Sequence, residues 1–134
     1  MMVSSVTAML DFGIEAVWRA VLDVENYPRW RSDLRRVEKI DAAHFVEYDR
    51  AGMATRFAVT RVEALARWEF DLENANLEGR WTGEFSPRGA RTQIVFTERV
   101  ALKRPMPRLL VKWFLRRQQA RFVRDLRRAL EKSG

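Results

Sequence analysis

Between Leu34 and Ala101 the sequence alternates with a period of two, and this feature limits the fold more than any other. Trp68, Phe70 and Leu72 take alternate positions, with Arg67, Glu69, Asp71 and Glu73 between them. Leu77, Gly79, Trp81, Gly83 and Phe85 interleave with Glu78, Arg80, Thr82 and Glu84, and Ile94, Phe96, Glu98 and Val100 with Gln93, Val95, Thr97 and Arg99. Successive side chains of a strand point to opposite sides, so the pattern predicts a sheet with one aromatic and one charged face. Strands are expected at 34–40, 44–50, 53–63, 66–73, 77–86 and 91–101, with turn signals at Ala51-Gly52, Asn74-Ala75-Asn76 and Ser86-Pro87-Arg88-Gly89. Links this short join antiparallel neighbours. Gly79 and Gly83, set among large aromatics, predict a sharp bend and so a concave aromatic face.

A face of that kind needs a cover, and the C-terminal segment supplies one. After Pro105 and Pro107 a long helix is expected to about Glu131, with Val111, Leu115, Gln118, Phe122, Leu126 and Ala129 as the stripe laid in the concave sheet. Ahead of the sheet, residues 3–10 read as a strand. Asp11 offers a helix cap, Ile14, Val17 and Val21 mark a first helix, and Pro28 opens a second, short one carrying Trp30. The expected architecture is α+β, β-α-α-β6-α, with about seven strands curved around the last helix as one domain over residues 1–134.

Charge is concentrated in that helix. From Arg104 to Lys132 there are ten basic residues against the two acids Asp125 and Glu131, while the rest of the chain is nearly balanced. The chain has no cysteine, which excludes disulfides, thiol catalysis and cysteine-held metals. The opening residues lack the basic and apolar regions of a signal peptide, and the apolar runs are short for a membrane span. A cytoplasmic protein is expected, peripheral to the membrane if its basic helix docks there.

Val17-Trp18, followed by Asp23-Val24-Glu25-Asn26-Tyr27-Pro28-Arg29-Trp30, resembles a stretch common in the START-like, or SRPBCC, superfamily. The closing Arg121-Phe122-Val123-Arg124-Asp125-Leu126 is a second point of likeness, and the element order resembles that superfamily's helix-grip fold along essentially the whole chain. The resemblance implies an apolar cavity between sheet and C-terminal helix. It points to the branches of polyketide cyclase/dehydrase-like and coenzyme Q-binding proteins. The glycine-rich loop of the pollen-allergen branch is missing, since Asp41-Ala42-Ala43 is too short for it.

Several residues are candidates for a site. Glu98 shares the inward parity of Ile94, Phe96 and Val100; it could orient a ligand or act as an acid or base, unless a bulge shifts its register or an arginine pairs with it. Arg61 is in phase with Phe57 and Val59, as a partner for Glu98 or an acidic ligand group, or as a rim residue. His44, the only histidine, is in phase with Val46 and Tyr48 and is either pocket-facing or a surface residue near a turn. No second histidine joins it, so no metal site and no cofactor are expected. Trp30, Tyr48, Phe57, Trp68, Phe70, Trp81, Phe85 and Phe96 from the sheet side, with Leu115 and Phe122 from the helix, are the expected apolar lining.

Off the helix stripe, Met106, Leu109, Leu110, Trp113 and Phe114 form an apolar patch leading into a ridge of Arg117, Arg121, Arg124, Arg127 and Arg128. Such a surface suits an anionic membrane, an acidic protein partner or a homodimer, or is a solvated face beside the pocket mouth. No nucleic-acid motif accompanies the arginines, so nucleic acid ranks last. Three functions follow: a binding module for a hydrophobic small molecule such as a lipid, quinone or polyketide-like compound; an enzyme of the cyclase/dehydrase type using Glu98; and a quinone chaperone docking on membranes through the basic helix. The binding module is favoured over the enzyme, because no nucleophile–base pair, phosphate loop or metal motif is present.

Overall fold

The computed structural model describes residues 1–133. In chain order the elements are strand β1 (Met2–Leu10), helix α1 (Ile14–Leu22), a 3-10 turn (Val24–Asn26), helix α2 (Tyr27–Trp30), strands β2 (Leu34–Lys39), β3 (His44–Asp49), β4 (Ala54–Glu63), β5 (Arg67–Glu73), β6 (Leu77–Arg88) and β7 (Arg91–Leu102), and helix α3 (Arg108–Ser133). The strands form one antiparallel sheet in the order β1-β7-β6-β5-β4-β3-β2. β2 to β7 are a meander, and β1 closes the arrangement by pairing with β7, Val6 opposite Phe96. The antiparallel sheet covered by a last helix that the alternation predicts is therefore present, in the helix-grip order that the resemblance implies.

The two glycines of β6 leave room that their neighbours fill. A Cβ on Gly79 would sit 2.0 Å from the Arg99 carbonyl oxygen, so β6 and β7 close up there only because that side chain is absent. A Cβ on Gly83 would meet the Trp81 ring at 2.5 Å; the indole lies over the bare backbone. Trp81 stacks on Phe70 at 4.8 Å between centroids, Phe45 stacks on Phe57 at 4.7 Å, and Phe96 joins them from β7. Face-offset and edge contacts among these rings make the concave side a continuous apolar surface.

At the start of α1 the N-cap is Gly13, with no side-chain hydrogen bond. Asp11, expected to cap this helix, instead accepts a hydrogen bond from Arg91 Nε at 2.6 Å. The cap fails because the helix starts at Ile14, three residues on, which makes Gly13 the N-cap and leaves Asp11 outside it.

The buried side of α3 also departs from the expected stripe. Val111, Leu115 and Leu126 are buried as expected, but Gln119, Val123 and Leu130 are buried in place of Gln118, Phe122 and Ala129, which are half-buried. The helix packs against β1 and α1 on one side and faces open space on the other. Gln118 and Phe122 border that space, while Gln119 fastens the packed side: its amide donates to the Ser4 carbonyl at 2.9 Å, and Ser4 Oγ donates back to Gln119 Oε1 at 2.8 Å. Asp125 accepts from the Ser32 N–H and hydroxyl, both at 2.8 Å, which ties α3 to the segment after α2.

Candidate functional site

The space between α3 and the concave sheet is a cavity of about 500 Å³. Phe57, Trp68, Phe70, Leu72, Trp81 and Phe96 give it a wall from the sheet, and Leu115 and Phe122 from the helix. Its mouth lies among Met53, Asn74 and Asn76 from the strand connections and Met106, Leu110, Trp113 and Phe114 from the start of α3. The volume falls in the range of small-molecule sites, which are mostly apolar with a few convergent polar groups.

The charged groups among them are Glu98, Arg31, Glu47, Asp33 and Asp49. Glu98 sits between Trp81 and Ser4 in the sheet, and its carboxyl borders the cavity with no hydrogen-bond partner among the described residues. Burial raises its pKa to about 7; the charge of Glu47 adds to the rise, and Arg31 works against it. Glu98 is therefore near half-protonation at neutral pH and can both donate and accept a proton.

Arg31 is buried and held on every side. Its Nη1 donates to Glu47 at 2.9 Å, its Nη2 and Nε donate to the two Asp33 oxygens at 2.7 and 3.2 Å, and its guanidinium lies 5.0 Å from the Tyr27 ring centroid and 5.1 Å from that of Phe122. Burial works against its charge, but Glu47 and Asp33 more than offset this and keep the guanidinium above its ordinary range. Burial raises the Glu47 pKa, with Arg31 opposing. Tyr27 donates its phenol proton to the Val21 carbonyl, and burial pushes that phenol up as well. Among the described residues that border the cavity, one guanidinium, that of Arg31, thus stands with the four carboxyls of Asp33, Glu47, Asp49 and Glu98, and the one without a hydrogen-bond partner is Glu98.

Four residues expected in the lining, Arg61, Tyr48, Trp30 and Phe85, lie elsewhere, and His44 takes the surface alternative. Arg61 is turned outward by a register shift between Val59 and Arg61: Val59 opposes Phe70, but Arg61 opposes Glu69. The extra residue, Thr60, reverses the parity, and Arg61 pairs with Glu63 and Glu69 on the charged face. Tyr48 is also on the outer face, under the Arg36 guanidinium at 3.8 Å. His44 is exposed beside Asp41, with Nδ1 to Oδ1 at 2.9 Å. Phe45, Glu47 and Asp49 border the cavity instead. That parity holds because Arg31 neutralises Glu47 and because Asp49 accepts the backbone N–H groups of Ala51 and Met53. Trp30 packs edge-on to Tyr27 and Phe122 behind the wall, and Phe85 is buried edge-on to Trp18 of α1. Arg31 and Glu47 were missed in the sequence because each looks like an ordinary surface charge; only their meeting across two elements distinguishes them. No group of histidine, cysteine and carboxylate side chains that could hold a metal occurs among the described residues.

A family model described as polyketide cyclase / dehydrase and lipid transport matches residues 1–131. The chain belongs to this family. Solved structures carry the same fold at low sequence identity. A START superfamily protein from Mycobacterium smegmatis superposes with a TM-score of 0.91 at 17% identity, with 98% of this chain and 99% of that one covered. The Zhui aromatase/cyclase from Streptomyces sp. R1128 gives 0.80 at 14% identity, covering 98% and 94%. A conserved protein from Geobacillus kaustophilus gives 0.88 at 12%, covering 98% and 97%. No curated protein matches the sequence. For this member of the polyketide cyclase / dehydrase and lipid transport family, likeness at such identities speaks for the helix-grip fold and leaves function to the site itself.

Proposed function

We propose that the protein binds a hydrophobic small molecule bearing one carbonyl or hydroxyl group, with the apolar body between sheet and α3 and the polar group at Glu98. The observation that carries this reading is the cavity of about 500 Å³, walled by aromatics and holding one carboxyl without a partner. Burial of apolar ligand surface supplies affinity, at about 25 cal/mol per Å² before the costs of association. A protonated Glu98 donates to a carbonyl and an ionised one accepts from a hydroxyl, so a quinone, a polyketide-like ring and a lipid headgroup ester all fit the same floor. Trp81, opposite Glu98 on the neighbouring strand, and Phe122 of α3 both line the cavity, and such aromatic faces favour a flat ring over a bent chain.

The test is direct. Organic extraction of the purified protein followed by mass spectrometry should return an apolar compound with a carbonyl or hydroxyl group, and the extracted protein should bind the fluorophore Nile red. A protein that yields no such compound and leaves Nile red in water removes the proposal.

One observation favours a second reading, an enzyme of the cyclase/dehydrase type. A carboxyl with a pKa of about 7 is matched to proton transfer at neutral pH, and here it faces a mostly apolar space. In a ring closure Glu98 would take a proton from carbon beside a carbonyl, and in a dehydration it would give one to the departing hydroxyl. The two readings separate with Glu98→Gln. If that variant keeps Nile red but converts no polyketone substrate that the wild type converts, the enzyme reading stands; equal turnover ends it.

A further inference from the structure

The first turns of α3 are left uncovered. Leu109 is 84% exposed, Trp113 55%, Phe114 54% and Leu110 53%, with Met106 close by. These are five large apolar side chains on one short stretch, the kind of patch that soluble surfaces rarely leave without a function. Around them stand Lys103, Arg104, Arg108, Lys112, Arg116 and Arg117, and no acidic residue occurs between Lys103 and Arg124. The Arg117 guanidinium lies 5.3 Å from the centre of the Trp113 ring, so a cation sits at the border of the aromatic patch.

We propose that this end of α3 docks on an anionic lipid bilayer, with the cavity mouth held against the membrane. The docking rests on the reading of the cavity as a binding site, because Met106, Leu110, Trp113 and Phe114 belong both to the exposed patch and to the mouth. An apolar ligand leaving through this mouth into water would expose its whole surface. Leaving into a bilayer, it passes from one apolar medium to another.

Three features choose the occupant. An isologous contact with a second copy would set this cationic rim against itself, and like charges at close range oppose association. An acidic protein would satisfy the cations but would stopper the mouth. A bilayer satisfies both parts: each basic residue near an anionic surface contributes on the order of 1 kcal/mol, and aromatic rings settle at headgroup depth. No helix among the described residues is long and apolar enough to cross a membrane, so the contact is with the surface.

The experiment is co-sedimentation of the full chain with vesicles of phosphatidylcholine alone or mixed with phosphatidylglycerol, at low and high salt. Binding to the mixed vesicles at low salt, weakened by salt and weak on phosphatidylcholine alone, is the expected result. Leu109→Glu and Lys112→Glu should each reduce binding about tenfold or more. Neither residue borders the cavity, and glutamate is a good residue for the first turns of a helix, so Nile red binding should be unchanged. Wild-type protein that ignores the mixed vesicles, or variants that bind them equally well, would overturn the docking while Nile red still reports on the cavity. Stronger binding to polyglutamate than to vesicles would overturn it in favour of an acidic protein, and a concentration-dependent dimer abolished by Leu109→Glu would overturn it in favour of a second copy. If vesicles are bound but Nile red is not, the cavity reading is the one that falls, and the docking loses its stated purpose.

Discussion

Glu98 and Arg31 illustrate two fates of a charge placed in an apolar interior. Arg31 has its full set of partners and Glu98 has none, so the first holds structure together and the second is available to a ligand. Removing Arg31 would leave Asp33 and Glu47 facing each other without a cation; Arg31→Met should lower stability by about 3–5 kcal/mol, read as a reduced urea midpoint. Glu98 behaves in the opposite way. Its carboxyl titrates at about 7 in the fold against an ordinary 4.5, so the folded protein holds a proton that the unfolded chain gives up. Its contribution is fully present below about pH 4.5 and is lost as pH rises through about 7. Above that range the ionised group costs roughly 3 kcal/mol, from the size of the shift. Glu98→Gln should therefore stabilise the protein above pH 7 and change little below pH 4.5, measured as the difference between two urea titrations. Equal effects at both ends would mean that Glu98 is solvated. The inward side of Glu98 was legible in the alternation of β7, because that strand runs without a bulge from Arg91 to Leu102. Arg31 was not legible, since nothing near it in the chain announces that Glu47 will lie beside it.

Among the elements, α3 and β6 shape the cavity most directly. Trp81 can lie flat against the sheet only because Gly83 has no side chain, so Gly83→Ala should push the indole toward the cavity. A weakened affinity for Nile red, with stability lowered by about 1–3 kcal/mol, is the expected outcome; unchanged affinity would show that the ring finds room elsewhere. On α3 the anchor is Asp125, which is only 3% exposed. Asp125→Ala leaves the Ser32 N–H and hydroxyl without their acceptor, and a loss of about 1.5–3 kcal/mol is expected in thermal or urea unfolding. The helix stripe shows how a periodicity can be real and still be read on the wrong side. Gln118 and Phe122 belong with Leu115 along one line of the helix, but that line borders a hollow, whereas Gln119, Val123 and Leu130 meet solid protein. Hydrophobic spacing reports distance from water in an average sense and does not separate a packed core from an apolar cavity wall.

For the whole molecule, a hollow core implies coupling between occupancy and stability. A ligand present at about one hundred times its dissociation constant should stabilise the protein by about 2.7 kcal/mol, visible as a raised melting temperature on adding back the extracted compound. The wall is mostly apolar, so binding should also carry a negative heat-capacity change by calorimetry. Charge is arranged on the same scale: the basic residues run along α3 and the segment just before it, five of them from Arg104 to Arg117 at the end that borders the cavity mouth, while the outer face of the sheet pairs its charges locally, as in Arg56 with Glu73 and Arg80 with Asp71. The outer face is in this way neutralised within the sheet, and the excess positive charge is left on α3, whose first turns carry no acidic residue beside the cavity mouth.

The sequence by itself determined the kind of fold: the period-two run, the short links and the closing amphipathic helix admit few other arrangements, because strand and helix periodicities are local properties of the backbone. It also placed Phe57, Trp68, Phe70, Trp81, Phe96 and Glu98 on one side, since their strands keep an unbroken alternation across those positions. The tertiary structure alone decided the rest. The extra residue in β4 turned Arg61 outward, and partners more than 15 residues away in the chain drew Glu47 inward and left Tyr48 on the surface. The reason is physical: alternation makes the two sides of a strand differ, but which mixed side is buried depends on which of its charges finds a counter-charge, and that partner is brought by the fold.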